Sequence, residues 1–310
     1  MTTVFLGTSQ FAAAILDRLA ASDTHRPALV LTRPDRPRGR GRKLASPPVA
    51  VRARELGIAV EQPVSVNDPR TSELIAATGA RAVVVCAFGA LIKEPLLSAH
   101  ELINVHPSLL PRWRGAAPVE RAIMAGDDET GVSIMRLTAG LDSGPVYRSG
   151  REGIGPHDTY GSLAERLEVL GGELLLDVLE RQAAGTEPDP VEQDDGVATY
   201  AEKIDAGDRL LDPRRTPEEL ERVVRALTPH IGARIALSDG RFLGVHGARV
   251  FDGTAPQRPG PDATGLSEHE GRLLLACGTG ALELTRVQPP GGRAMDGADY
   301  LRGHAVADLL

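Results

Sequence analysis

Residues 103–144 read INVHPSLLPRWRGAAPVERAIMAGDDETGVSIMRLTAGLDSG, and the fold class turns on how this run is parsed. Leu102, Ile103 and Val105 form the short apolar run of a buried strand. Side chains alternate along a strand, so Asn104 and His106 face the same way. Pro107 cannot donate to a ladder, which predicts the strand's end there. A polar pair at a strand's carboxyl end sits where open α/β sheets hold their ligands. Gly131–Leu137 predicts a second strand, followed by a Gly- and Pro-punctuated loop that carries Asp142. Should both strand ends meet at one edge, Asn104, His106 and Asp142 converge.

An amide, an imidazole and a carboxylate suit acyl transfer to an amine. The amide can donate to a developing oxyanion. The imidazole can donate to the same oxygen or move a proton, and the carboxylate can orient it. No Ser or Cys nucleophile is required, because the amine attacks directly. Taken singly, each residue also fits a plainer role: a turn cap, a satisfied buried imidazole, a carboxylate that fixes a loop.

Working outward, the N-terminal side has the texture of a parallel α/β sheet. Thr3–Leu6 is a short apolar strand that runs through Gly7-Thr8-Ser9 into the helix formers of 11–21. The dinucleotide G-x-G-x-x-G spacing is absent. Ala82–Ala87 is continuously apolar, as a central strand buried on both faces would be. The turn Phe88-Gly89-Ala90-Leu91 follows it. Between the early strands lies TRPDRPRGRGRKLASPP, where Arg33, Arg36, Arg38, Arg40, Arg42 and Lys43 face the single acid Asp35. Proline and glycine prevent a regular helix, and like charges repel, so this loop is predicted to be mobile until something binds it. Arginine's planar fork suits phosphates and base edges.

The combination Asn104-Val105-His106, Ser108-Leu109-Leu110-Pro111, Gly115, Pro118 and Gly140-Leu141-Asp142-Ser143-Gly144 resembles the formyltetrahydrofolate-dependent formyltransferases. Arg112-Trp113-Arg114-Gly115-Ala116-Ala117-Pro118 narrows the resemblance to the methionyl-tRNA formyltransferase group. The resemblance implies 10-formyltetrahydrofolate as co-substrate and the amine of methionyl initiator tRNA as acceptor, with no metal. It implies catalytic roles for Asn104, His106 and Asp142. Folate binding is implied for Phe88, Gly89, Leu91, Ser108, Leu109, Leu110 and Pro111. Contact with tRNA is implied for Arg36, Arg38, Arg40, Arg42, Lys43, Arg112, Trp113, Arg114 and Arg293. Two departures stand out: Ser9 replaces the family's proline, and Phe88 its more usual tyrosine.

The same resemblance supplies the expected layout. Residues 1–185 form a Rossmann-like catalytic domain with a mostly parallel sheet, 186–205 an acidic, proline-bearing linker, and 206–310 a smaller OB-like β-barrel. Thr216 followed by Pro217 predicts a helix start, and short strand candidates recur between glycines after it. Gly171-Gly172 argues against one unbroken helix over 159–184.

Composition is compatible with this and excludes much else. The chain has 310 residues, 42% of them hydrophobic, 25% charged, with net charge -7. That leaves room for two cores and argues against broad nucleic-acid affinity, so an RNA would need a local basic patch. Two cysteines within apolar runs read as buried thiols of a reducing compartment. The N-terminus lacks the pattern of a signal peptide, and no segment has the length of a membrane span. A cytoplasmic monomer is the expectation. Two rivals remain: a formyltransferase acting on a small amine such as a nucleotide sugar or glycinamide ribonucleotide, and a non-catalytic folate- or RNA-binding module.

Overall fold

The computed structural model describes residues 1–38, 41, 43–254 and 265–304. In chain order its elements are β1 (Thr3–Gly7), α1 (Gln10–Ala20), β2 (Pro27–Leu31), β3 (Arg36–Arg38), β4 (Lys43–Ala45), α2 (Pro48–Glu55), β5 (Ala59–Glu61), α3 (Pro69–Ala77), β6 (Ala82–Cys86), α4 (Leu96–Ala99), β7 (Leu102–His106), β8 (Arg114–Gly115), α5 (Pro118–Ala125), β9 (Glu129–Arg136), β10 (Val146–Gly153) and α6 (Tyr160–Ala184). They continue with β11 (Tyr200–Ala201), α7 (Pro217–Leu227), β12 (Ala233–Ala236), β13 (Phe242–Val250), β14 (Leu266–His269), β15 (Arg272–Ala276), β16 (Ala281–Gln288), β17 (Met295–Asp296) and α8 (Gly297–Gly303).

The chain divides into two compact units. The first comprises Met1–Pro118, Glu129–Gly153 and Ala164–Glu202. The second comprises Val119–Asp128, Ile154–Leu163 and Lys203–Leu310. The stretch 186–205, expected to be a linker, is therefore split, and most of it packs with the first unit.

The first unit is built on a seven-stranded sheet of order β10-β9-β7-β6-β1-β2-β5. The ladders among β7, β6, β1, β2 and β5 are parallel, and β9 and β10 add antiparallel strands at one edge. β1, β6 and β7 are buried along their whole length, which is why they are rich in Val, Leu and Ile. Phe5, Leu6, Ile15, Leu16, Leu19 and Leu31 are among the largest fully buried side chains. Each such side chain stabilises the fold by about 1.5–3 kcal/mol relative to exposure. The chain leaves β1 for β2 on one side and reaches β6 on the other. That reversal opens a crevice at the carboxyl ends of β1 and β6.

Three local features bear on what the sequence suggested. Ser9, in place of proline, caps α1 by accepting a hydrogen bond from Ala12 N at 3.2 Å. α6 runs unbroken through Gly171-Gly172. A Cβ on Gly171 would sit 3.3 Å from Ile15 and Val105, and one on Gly172 would sit 2.7 Å from Arg18. The glycines thus bring the helix close to α1 and the sheet, and packing overrides their low propensity. The basic segment, expected to be mobile, forms a two-stranded antiparallel ladder that pairs Arg36 with Ala45 and Pro37 with Leu44. Its base is fastened by Asp35, whose carboxylate accepts from Gln62 Nε2 at 2.8 Å and Ser46 Oγ at 3.0 Å. Those two bonds, Gln62's first, hold the Asp35 carboxyl below the usual carboxylate range. Arg40 and Arg42 lie outside the described residues.

In the second unit an antiparallel sheet of order β12-β13-β16-β15-β14, with β17 paired to β16, is the counterpart of the expected OB-like domain. Thr216 and Glu219 form a reciprocal capping box at the start of α7, where sequence placed the helix start. The core includes Leu220, Val223, Leu227, Ile235, Leu243 and Leu284. Cys86 and Cys277 are both free and buried, one in each unit. No helix among the described residues is long and apolar enough to cross a membrane.

Candidate active site

β7 ends at His106, as Pro107 dictates, and Asn104 and His106 are 7% and 4% exposed on one face of it. The following turn is pinned to the sheet by serines. Ser108 Oγ donates to Arg112 O at 2.7 Å. Ser133 on β9 donates to Ser108 O at 2.8 Å and accepts from Leu110 N at 3.1 Å.

Asp142 reaches this turn by a route the sequence did not show. β7 and β9 are antiparallel, and Arg136 at the end of β9 pairs with Ile103, not with His106. The two carboxyl ends therefore lie at different heights, and the β9–β10 loop must run back along β7. It brings Asp142 Oδ2 to 3.7 Å from His106 Nδ1, and Gly115 N–H donates to the same oxygen at 2.8 Å. His106 Nε2 lies 2.9 Å from Trp113 O. A carbonyl can only accept, so Nε2 carries the proton and Nδ1 is the nitrogen that faces Asp142. At 3.7 Å the pair is beyond hydrogen-bond range but close enough for strong attraction once the imidazole is cationic.

The backbone around these groups is strained. Trp113 and Asp142 have φ of 63° and 45°, values that non-glycine residues seldom adopt. Gly115 has φ of 121°, and a Cβ there would lie 2.7 Å from Ala201 O. Only glycine allows β8 to approach β11 so closely.

The residues expected to hold folate lie at the same edge of the sheet. β6 neighbours β7 in parallel, so the turn after β6 opens beside the turn after β7. Phe88 is buried, Gly89 has φ of 72°, and Leu91 is 65% exposed. The turn is tied from two sides. Thr8 Oγ1 donates to Phe88 O at 2.7 Å, and Arg33 Nη1 donates to Gly89 O at 3.0 Å. Ser108 is fully buried, while Leu109, Leu110 and Pro111 are half-buried beside it.

The residues expected to touch tRNA separate into distinct environments. Arg36 and Lys43 are exposed on the β3–β4 ladder, and Arg38 lies on β3. Arg112 is exposed with its guanidinium 4.5 Å from the Trp113 ring centroid. Arg293 is exposed in the second unit. Arg114 departs from its expected place on a substrate-facing surface. It is only 3% exposed, with Nη2 2.7 Å from Asp195 and Nε donating to Gln193 Oε1 at 3.0 Å. The β8 backbone turns it inward against residues 193–195, so it holds structure.

Gln193 and Asp195 were missed by the sequence reading, and Thr199 was read only as part of the join between the domains. They lie within the stretch expected to be a linker, and nothing in its composition signals that it binds the loops of the site. Glu120 and His230 also form a pair of their own in the second unit, with Nε2 2.9 Å from Oε1 and the imidazole stacked on Tyr160. Among the described residues no cluster of three or more His, Cys, Asp or Glu side chains could hold a metal ion.

Residues 1–179 match the formyl transferase family, and residues 203–305 match the formyl transferase C-terminal domain. Methionyl-tRNA formyltransferase from Methylococcus capsulatus is 43% identical over 99% of this chain and 98% of its own. The same enzyme from Dinoroseobacter shibae is 42% identical over the whole of both chains. Among solved structures, HypX from Aquifex aeolicus in complex with tetrahydrofolic acid superposes with TM-score 0.63 at 16% identity, over 96% of this chain and 46% of that one. The chain thus spans about half of HypX. An N-formyltransferase from Helicobacter canadensis, in complex with folinic acid and dTDP-3-aminofucose, gives TM-score 0.63 at 15% identity over 91% of this chain and 98% of its own. These two likenesses speak to the fold, whereas the full-length sequence matches speak to kinship. The chain belongs to the formyl transferase family, within it to the methionyl-tRNA formyltransferases.

Proposed function

We propose that this enzyme transfers the formyl group of 10-formyltetrahydrofolate to the α-amine of methionyl initiator tRNA, with Asn104, His106 and Asp142 as its catalytic residues. The observation that carries the residue assignment is the bond from His106 Nε2 to Trp113 O at 2.9 Å, which leaves Nδ1 facing Asp142 across 3.7 Å. The formyl group enters beside Asn104 and His106. The amine attacks its carbon and a C–N bond forms. The negative charge that collects on the formyl oxygen is met by the Asn104 amide and by His106 in its cationic form. Asp142 balances the imidazolium and receives the proton that the attacking nitrogen sheds. When the tetrahedral intermediate collapses, the bond to N10 breaks and that nitrogen takes a proton.

Folate lies in the crevice between β1 and β6 in this reading, with its ring system against Phe88, Gly89 and Leu91 and the formyl end toward Ser108–Pro111. A mostly apolar cleft with a few fixed polar groups suits a flat heterocycle. The tRNA is held by charge: Arg36, Arg38, Arg40, Arg42 and Lys43 at the basic segment, Arg112 and Trp113 beside the site, and Arg293 on the second unit. In this reading the catalytic residues lie within 1–185, and tRNA recognition is shared between the basic segment and Arg112–Trp113 there and the domain of 206–310. We read the enzyme as a monomer that works in the cytoplasm, where charged tRNA and folate are used.

The test is to mix the protein with 10-formyltetrahydrofolate and methionyl initiator tRNA and assay for formylmethionine. Formylation of a nucleotide sugar or glycinamide ribonucleotide, without formylmethionine, would overturn the assignment.

A further inference from the structure

The stretch between the two homologous regions does more than join them. Val191 exchanges both backbone hydrogen bonds with Val146, at 2.8 Å each, where the Asp142 loop re-enters the sheet. Thr199 N donates to Pro111 O at 3.2 Å, Thr199 O accepts from Arg114 N at 2.9 Å, and Thr199 Oγ1 accepts from Trp113 N at 2.9 Å. β11 then pairs with β8 in parallel, and Ala201 O accepts from Ala116 N at 2.8 Å. Both loops that build the site are thus bound by one crossing segment.

Gln193 stands at the centre of that segment. Its Nε2 donates to Asp142 O at 2.8 Å and to Gly144 O at 2.6 Å. Its Oε1 accepts from Arg114 Nε at 3.0 Å. The amide's orientation follows from its neighbours. Turned over, its oxygen would face two carbonyls and its NH2 a guanidinium. One side chain therefore links the Asp142 loop to the strand that supplies the other contacts of the catalytic groups. That strand carries Gly115 N–H, which holds the Asp142 carboxylate, and follows Trp113 O, which holds His106.

Resting on the catalytic reading above, we infer that residues 191–201 act as a strap that sets the catalytic geometry, with Gln193 as the positioning residue for Asp142. The strained loop has Asp142 at φ of 45°. Gln193 fastens the carbonyls on both sides of Ser143 and so keeps the carboxylate at its distance from His106. Misplacement of a reacting group by about 1 Å can cost about 100-fold in rate.

The experiment measures steady-state kinetics on the full-length enzyme with 10-formyltetrahydrofolate and methionyl initiator tRNA. Gln193→Ala is expected to lower kcat roughly 10- to 100-fold while both KM values change less than about threefold. Gln193→Glu keeps the shape but sets an oxygen against two carbonyls, so it is expected to be no more active than Gln193→Ala. A space-filling role would leave Gln193→Glu active. Gln193→Met, equally long and without the amide, supplies the reading if the alanine variant does not fold. In an Asp142→Ala background, Gln193→Ala is expected to cost less than about twofold more, because the two act as one unit. Near-normal kcat in Gln193→Met or Gln193→Ala, or full additivity with Asp142→Ala, would overturn the inference. If Asp142→Ala itself keeps near-normal turnover, the catalytic reading fails first, and the single variant shows that separately.

Discussion

The turns around His106 and the basic ladder at Arg36–Ala45 are both polar and both strand-borne, yet they are held in opposite ways. At His106 the groups are tied in place by their surroundings: Trp113 O accepts from the imidazole, Gly115 N–H donates to the Asp142 carboxylate, and the Ser133 hydroxyl donates to the turn. In the basic ladder the fastening is at its base, through Asp35, while Arg36 and Lys43 stay exposed. On the proposed reading the contrast has a reason: transfer chemistry is sensitive to fractions of an ångström, which calls for buried, cross-tied groups. Attraction to a polyanion, the role proposed for the ladder, depends on charge count and reach and tolerates groups that stand in solvent.

The sharpest way to break this contrast is His106→Ala. Loss of one oxyanion-stabilising group costs about 100- to 1,000-fold in turnover, and tRNA affinity by filter binding should not move. Near-normal turnover would mean that the buried cluster is not the catalytic one.

Gly115→Ala probes the cross-ties instead of the chemistry. A Cβ at φ of 121° would meet Ala201 O at 2.7 Å, so the β8–β11 pairing must shift. We expect about 1–3 kcal/mol lower stability in chemical denaturation, with a fall in kcat because Gly115 N–H holds Asp142. Unchanged stability would show that the close approach is dispensable.

On the other side of the contrast, Arg36→Ala and Lys43→Ala should leave stability and the rate at saturating tRNA alone. Each should flatten the slope of log affinity against log salt by about 0.7–0.9, if it meets one phosphate. A salt titration that gives parallel lines would remove the ladder from the RNA-facing surface.

The smallest expected effect concerns Glu168 on α6. Burial, reinforced by Glu165, raises its carboxyl from 4.5 to about 7. A raised carboxyl binds its proton more tightly in the folded chain, so stability is lost as pH rises from 4.5 through about 7. Glu168→Gln should therefore stabilise by roughly 1 kcal/mol at pH 8, after allowance for partial exposure, and by nothing near pH 4. Equal melting shifts at both pH values would refute the buried-carboxylate account.

Legibility in the sequence followed the same contrast. Strands whose burial is continuous announced themselves: Ala82–Cys86 by its valines, β7 by Ile103 and Val105 and the stop at Pro107. The start of α7 was readable because a Thr-Pro cap is local chemistry. That His106 and Asp142 lie together, with Asn104 on the same strand face as His106, was suggested by the long run of motif residues they belong to. Features that depend on what packs against a residue were not. Gly171-Gly172 looked like a break, yet α1 and the sheet press against that face. Arg114 looked like its neighbour Arg112, but the turn at Trp113 sends one inward and the other outward. Gln193 sat in a run with the composition of a linker, because ordering there comes from loops distant in sequence.

The placement of the two thiols makes the chain its own reporter. Cys86 is wholly enclosed in the first unit, and Cys277 is 8% exposed in the second. Burial pushes both thiols up, Cys277 to about 11, so neither offers a reactive thiolate while its surroundings are closed. Alkylation must wait for each core to breathe. Timed exposure to iodoacetamide, with the two cysteine peptides resolved by mass, would then clock the opening of each half separately, with no introduced label. Added 10-formyltetrahydrofolate should slow labelling at Cys86 and leave Cys277 on its own schedule.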